Sequence, residues 1–265
     1  MVSLCGIKFK VHYWPIFIFI WFVKTFAITF AISLYLGHIY WFFPFISDTG
    51  ALTPESCIFA QLVNIGATFL SVAVYVRYRE VESAINCGLI NASAGINTAS
   101  LWLGWISCLG LSVVANFQQN AEYVRLLHFV GALGSFAVAA VYFILQSIIS
   151  RHYLAPNPNV TTGNFKLGRK TFYFRVVLSV LFLPVYFICT VCGVLAITQF
   201  TGDSVIYWTP DDGGFELRLA AVFAEWILVL MELLYIATFT KEFKYMRFRE
   251  IGFECKYSKI QQGLM

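Results

Sequence analysis

The sequence predicts an all-α membrane protein, a bundle of six transmembrane helices with the N- and C-termini cytosolic. Three observations carry that expectation. The 265 residues are 59% hydrophobic and only 12% charged, with a mean hydropathy of +0.74. A soluble domain is about 45–50% apolar and ~25% charged, so this chain has too few polar groups to coat a globule in water. Six apolar stretches each reach the ~20 residues needed to cross roughly 30 Å of hydrocarbon. The basic residues, finally, gather on one side of those stretches. Together these features argue against a soluble enzyme, a disordered chain and a nucleic-acid binder.

Residues 1–13 form a short N-terminal segment and span one runs over about 14–36, interrupted by Lys24. It is too long for a cleavable signal and no small-residue cleavage site follows, so it is expected to stay as an anchor. Spans two to six cover about 57–76, 92–115, 124–149, 176–200 and 217–239, making 14–240 one transmembrane domain, with a basic cytosolic tail at 241–265. Strand-like alternation is missing, which disfavours a β-barrel. With the termini in the cytosol, fifteen of the 18 basic residues face it, including Arg77, Arg79, Arg151, Arg175 and the tail lysines. Acids such as Asp48, Glu55, Asp211, Asp212 and Glu216 then lie on the lumenal side. That asymmetry satisfies the positive-inside rule and favours anionic lipids as partners, not nucleic acid. The sequons at Asn91 and Asn159 fall on the cytosolic side and are expected to stay unglycosylated.

Ionisable residues inside a span cost roughly 2.5–3.5 kcal/mol each, so they are functional candidates by default. Arg218, Glu225 and Glu232 recur every seven residues in span six. Seven residues are close to two helical turns, which places all three on one face. Lys24 lies about 15 Å and Glu232 roughly 10 Å from the cytosolic ends of their spans, so an intramembrane ion pair between them is expected. Glu225, Asn64 and His128 lie at comparable depth near the lumen and form a candidate polar pocket, able to do acid–base work, to hold a lipid headgroup or simply to bond to one another. No metal site is expected, because no His/Cys cluster or H-E-x-x-H run occurs, and no cofactor is expected. Cys189-x-x-Cys192 lies in an apolar helix and reads as packing. Gly131, Gly134, Ser135, Ala139 and Ala140 give span four a small-residue face for close helix contact. Pro184 is expected to kink span five.

In the first lumenal loop, aromatics at Tyr40 to Phe45 suit the membrane interface. Ser47-Asp48-Thr49-Gly50 reads as a turn, and the single Asp-Thr-Gly lacks the second aspartate that aspartic-protease chemistry needs. In the tail, Tyr257-Ser-Lys-Ile260 has the spacing that adaptor proteins read in endosomal and lysosomal sorting, which makes such adaptors candidate partners.

Phe45-Ile-Ser-Asp-Thr-Gly50, Pro54-Glu55, Asn64, Tyr75-Val-Arg-Tyr-Arg79, Gly110-Leu-Ser-Val-Val-Ala-Asn-Phe-Gln118, His128-x-x-Gly131 and Ala224-Glu-Trp226 together resemble the damage-regulated autophagy modulator (DRAM) family, within the FRAG/DRAM/SFK superfamily. The resemblance covers about residues 40 to 240, in order. It implies a six-helix protein of the lysosomal or late-endosomal membrane (Golgi or plasma membrane as the alternative) that promotes autophagy through lipid or protein partners. Other branches of the superfamily remodel the lipid of GPI anchors or act in phosphoinositide and lipid-asymmetry control. The matched positions Asp48, Glu55, Asn64, His128 and Glu225 carry over as important. The reading favours a non-enzymatic modulator over a lipid-modifying enzyme with a lumen-side pocket, and both over a lipid or ion transporter, since the two halves show no inverted repeat.

Overall fold

The computed structural model describes residues 10–120, 123–160 and 166–246, with backbone also at 3–4 and 7–8. Six helices are long and apolar enough to cross a membrane. They are α1 (Trp14–Tyr35), α2 (Glu55–Asn86), α3 (Ala94–Asn116), α4 (Arg125–His152), α5 (Arg169–Gln199) and α6 (Phe215–Ala237). A four-residue α7 (Thr240–Phe243) follows, and a two-residue antiparallel ladder pairs Ser3–Leu4 with Ile7–Lys8. The helices pack in chain order, each on the next, and α1 closes the ring against α6. The N-terminal segment, α7 and the α2–α3 and α4–α5 connections share one end of the bundle, called here the terminal end. The α1–α2, α3–α4 and α5–α6 connections share the other, the loop end.

The outer surface is apolar: Leu109, Val130 and Val180 are more than half exposed. Without a hydrophobic drive between helices in lipid, close packing and interhelical hydrogen bonds must hold them together. Both are present where α3 meets α4. A Cβ on Gly110 would sit 2.9 Å from the Gly131 carbonyl oxygen, so only glycine permits this approach. One turn along, the Ser107 and Ser135 hydroxyls each donate to the other's backbone carbonyl, at 3.2 and 2.9 Å. Elsewhere indole N–H groups cap carbonyls on neighbouring helices, Trp21 to Leu62 O at 2.9 Å and Trp105 to Ser71 O at 3.2 Å.

Two helices outrun their apolar stretches. At 32 residues α2 is about 48 Å long at 1.5 Å per residue, well beyond the hydrocarbon core, and continues ten residues past the expected end at Val76. Helix α5 starts at Arg169, seven residues before the expected start, and runs unbroken through Pro184.

The first loop folds into the bundle instead of lying over it. Asp48, Thr49 and Gly50 form a buried 3-10 turn. Ser33 Oγ donates to Thr49 O at 2.7 Å, and Thr29 and Thr49 hydroxyls lie 2.9 Å apart, which ties the turn to α1. Ile46 N donates to Glu225 Oε2 at 2.7 Å, and Trp226 Nε1 donates to Pro44 O at 3.1 Å, which ties it to α6.

Candidate functional site

The turn sequence Ser47-Asp48-Thr49-Gly50 does bond its own backbone: Phe45 N donates to Asp48 Oδ2 at 2.9 Å. The carboxylate also reaches across the fold, accepting from Arg218 Nη2 in the first turn of α6 and from Gln119 Nε2 in the α3–α4 connection. Asp48 and Arg218 are both buried, and the guanidinium stacks between the Phe45 and Trp208 rings at 5.2 and 5.3 Å. Burial pushes the Asp48 acid up to about 6, outweighing Arg218, Phe45 N and Gln119, which pull it down. Gln119 also fixes a second guanidinium, since its carbonyl accepts from Arg125 Nε at 2.8 Å.

This polar cluster roofs a cavity of about 290 Å³ between α4, α5 and α6. Apolar side chains of α4 and α5 form most of its wall, and His128 of α4, Cys189 of α5 and Glu225 of α6 also line it. Val194 and Ile197 line it while remaining 55% and 49% exposed on the outer face of α5, so the cavity opens sideways, towards lipid. His128 Nδ1 lies 2.6 Å from Phe117 O, a carbonyl that can only accept, so Nδ1 carries the proton. A smaller chamber of about 80 Å³ adjoins it, sharing His128 and Glu225 and reaching Glu232 deeper in the bundle. Glu232 Oε1 is buried there without a hydrogen-bond partner.

The structure therefore brings His128 and Glu225 to one cavity wall but not Asn64. Asn64 turns to α3, where its Oδ1 accepts from Ser112 Oγ at 2.6 Å and its Nδ2 donates to Asn116 Oδ1 at 3.1 Å. The expected pair of Lys24 with Glu232 is also corrected. The buried stripe of α1 is Ile18, Phe22, Thr25, Phe26 and Thr29, and Lys24 falls outside it on the exposed face, with no ion pair to Glu232. Glu55, at the start of α2, is fully buried and takes His38 Nδ1 at 2.6 Å; it holds the first loop and does not line the cavity. Tyr257 and Ile260 lie outside the described residues. All five described cysteines are free. Among the described residues no group of three His, Cys, Asp or Glu is placed to hold a metal.

A second polar cluster escaped the sequence reading. At the terminal end Arg77 and Arg175, expected to face the cytosol, are fully buried. Arg77 Nη1 meets Glu80 Oε2 at 2.5 Å, and Arg175 grips both oxygens of Glu242 at 2.6 and 2.9 Å. Tyr153 donates to Glu80 Oε1 at 2.9 Å, Arg77 Nε donates to Gln146 at 2.9 Å, and the Phe239 ring lies 5.0 and 4.9 Å from the two guanidinium carbons. The available signal was the Arg77/Glu80 spacing, three residues apart on one helix face.

Residues 10–246 match the family described as the Frag1/DRAM/Sfk1/Cwh43P N-terminal domain. The chain belongs to this family. Among relatives, it is 30% identical over 243 residues to DNA damage-regulated autophagy modulator protein 2 of Bos taurus, covering 87% of this chain and 83% of the relative. It is 30% identical over 231 residues to DNA damage-regulated autophagy modulator protein 1 of Homo sapiens, covering 87% and 90%. The modulator of macroautophagy TMEM150B of Danio rerio is 31% identical over 219 residues, covering 82% and 78%. No solved structure matches the chain. The matched segment of the family contains all six long helices, both polar clusters and the cavity, and it ends just after α7. The protein is a multi-pass helical membrane protein of the autophagy-modulator family.

Proposed function

We propose that this protein modulates autophagy from a lysosomal or late-endosomal membrane, acting through a lipid held in the loop-end cavity. The autophagy part rests on the similarity to named autophagy modulators over most of the chain. The observation that carries the lipid part is the cavity's form: apolar walls, a charged roof and a mouth on the lipid-facing side of α5. Both termini lie in the cytosol on this reading, because the basic residues crowd the terminal end, and the tail motif Tyr257 to Ile260 meets adaptor proteins there.

The test uses cells lacking the protein. Autophagic flux falls without it and returns with the tagged full chain, which coincides with a lysosomal marker. Filling the cavity with Ala132→Phe leaves localisation intact and abolishes the rescue. Unchanged flux in the deleted cells, or exclusive residence at the plasma membrane, would overturn the reading.

His128 and Glu225 on one wall favour a second reading, a lipid-modifying enzyme using them as acid and base. Turnover of a bound lipid that survives both His128→Ala and Glu225→Gln would remove it.

A further inference from the structure

We infer that the loop-end cavity is a site for a phosphate-bearing headgroup, taken from a lipid that enters sideways between α4 and α5. The inference deepens the proposed lipid reading and rests on it. Its first support is the balance of donors and acceptors in the roof. Asp48 is the roof's carboxylate, and three donors already engage it: Phe45 N, Gln119 Nε2 and Arg218 Nη2. What remains unmet are donors. Arg218 Nε and the Trp208 indole nitrogen are buried without hydrogen-bond partners, and both side chains belong to the cavity wall. An unpaired buried donor loses its hydration without compensation, so two at one place call for an acceptor. Arg125, also on the wall, has no acidic partner among the described residues.

The second support is the backbone. Helix α4 begins at Arg125 and α6 at Phe215, so two helix N-termini, each with a partial positive charge, lie at the roof's end of the bundle. Gly214, at φ 76°, starts α6 in a left-handed conformation and sets it against α5, where a Cβ would meet Ala196 O at 2.7 Å. The two guanidiniums and the indole N–H, at the same end as two helix N-termini, form a cradle for a tetrahedral oxyanion. The third support is depth. Glu225 lies about 10 Å below Arg218 along α6, and the wall that α4 and α5 supply is mostly apolar. An acyl lipid fits this gradient, with its phosphate at the roof and its chains leaving past Val194 and Ile197.

The test is binding to the purified full chain in detergent, with three probes: a short-chain phosphatidic acid, the diacylglycerol with the same chains, and inorganic phosphate. Phosphatidic acid is expected to bind at least about tenfold more tightly than diacylglycerol, the ratio of roughly one charge-assisted hydrogen bond. Trp208→Phe, which keeps the ring and removes the donor, should weaken phosphatidic acid by several-fold and leave diacylglycerol unchanged. Arg125→Gln should do the same. Val194→Trp, at the exposed mouth and away from the roof, should block both lipids without lowering thermal stability. Equal binding of the two lipids would overturn the headgroup inference and leave the lipid reading standing. Failure of both lipids to bind would overturn both readings. Inorganic phosphate binding as tightly as phosphatidic acid would make this a free-anion site and overturn the lipid source.

Discussion

At the terminal end Arg77 and Arg175 meet Glu80 and Glu242, whereas at the loop end Arg218 meets Asp48 and Arg125 has no acidic partner among the described residues. The first cluster is balanced in charge, two cations against two anions; all four carboxylate oxygens accept a hydrogen bond, and one donor, Arg77 Nη2, is buried without a partner. It joins α2, α4, α5 and α7 around the Phe239 ring and lines none of the larger cavities. The second leaves two donors, Arg218 Nε and the Trp208 indole nitrogen, without partners, and both side chains line a cavity. A charge-balanced buried ion cluster away from any large cavity fixes helix register, while one with unmet donors beside a cavity is equipped to take a ligand. On the proposed reading, the terminal end is structural and the loop end binds.

The largest expected effect lies at the terminal end. Glu242→Gln strips Arg175 of its bidentate partner and should cost about 3–5 kcal/mol, read as a lower Tm of the detergent-purified chain. Replacing Arg175 and Glu242 together by Leu should recover much of that loss, because no uncompensated charge is left behind. A Tm unchanged by Glu242→Gln would mean that the cluster does not hold the helices and would erase the contrast.

Glu232 offers the opposite sign. Its Oε1 is buried without a partner, so Glu232→Leu should stabilise the protein by ~1–3 kcal/mol. Lys24→Leu should add to that change without coupling, because Lys24 faces outward on α1. A double-mutant coupling above about 1 kcal/mol would restore the ion pair that the geometry denies.

The same residues show how far the sequence could be read. Six spans were legible because hydropathy summed over twenty residues hardly depends on how the helices pack. Their ends were less so: the charges from Arg77 to Glu82 resemble a solvated exit, but Arg77 and Glu80 are paired inside the bundle and α2 runs on to Asn86. Depth along a helix was also readable, and it placed His128 and Glu225 at a common level. Azimuth was not. Asn64 and Lys24 have the expected depth yet turn to α3 and outward respectively, because the direction a residue faces depends on neighbours that sequence spacing does not name. The Asp48–Arg218 contact joins residues 170 apart, and nothing local in either segment announces it.

The smallest expected effect sharpens the loop end. The Asp48 acid titrates near 6 in the folded protein, against 3.8 for the free side chain, because burial disfavours the charge more than Arg218 supports it. A carboxyl whose folded pKa is raised holds its proton more tightly when folded. Its contribution is therefore full below about 3.8 and is lost as pH rises through about 6. Between pH 7 and pH 5 the folded protein should gain ~1 kcal/mol from this group. Other groups titrate too, so the measurement is the difference between the native chain and Asp48→Asn, with Tm recorded at both pH values. The native chain should gain more on acidification than the variant does. An equal gain in both would show that Asp48 keeps its charge at pH 5, held by Arg218 as firmly as Glu242 is held by Arg175, and the two ends of the bundle would then differ only in the cavity.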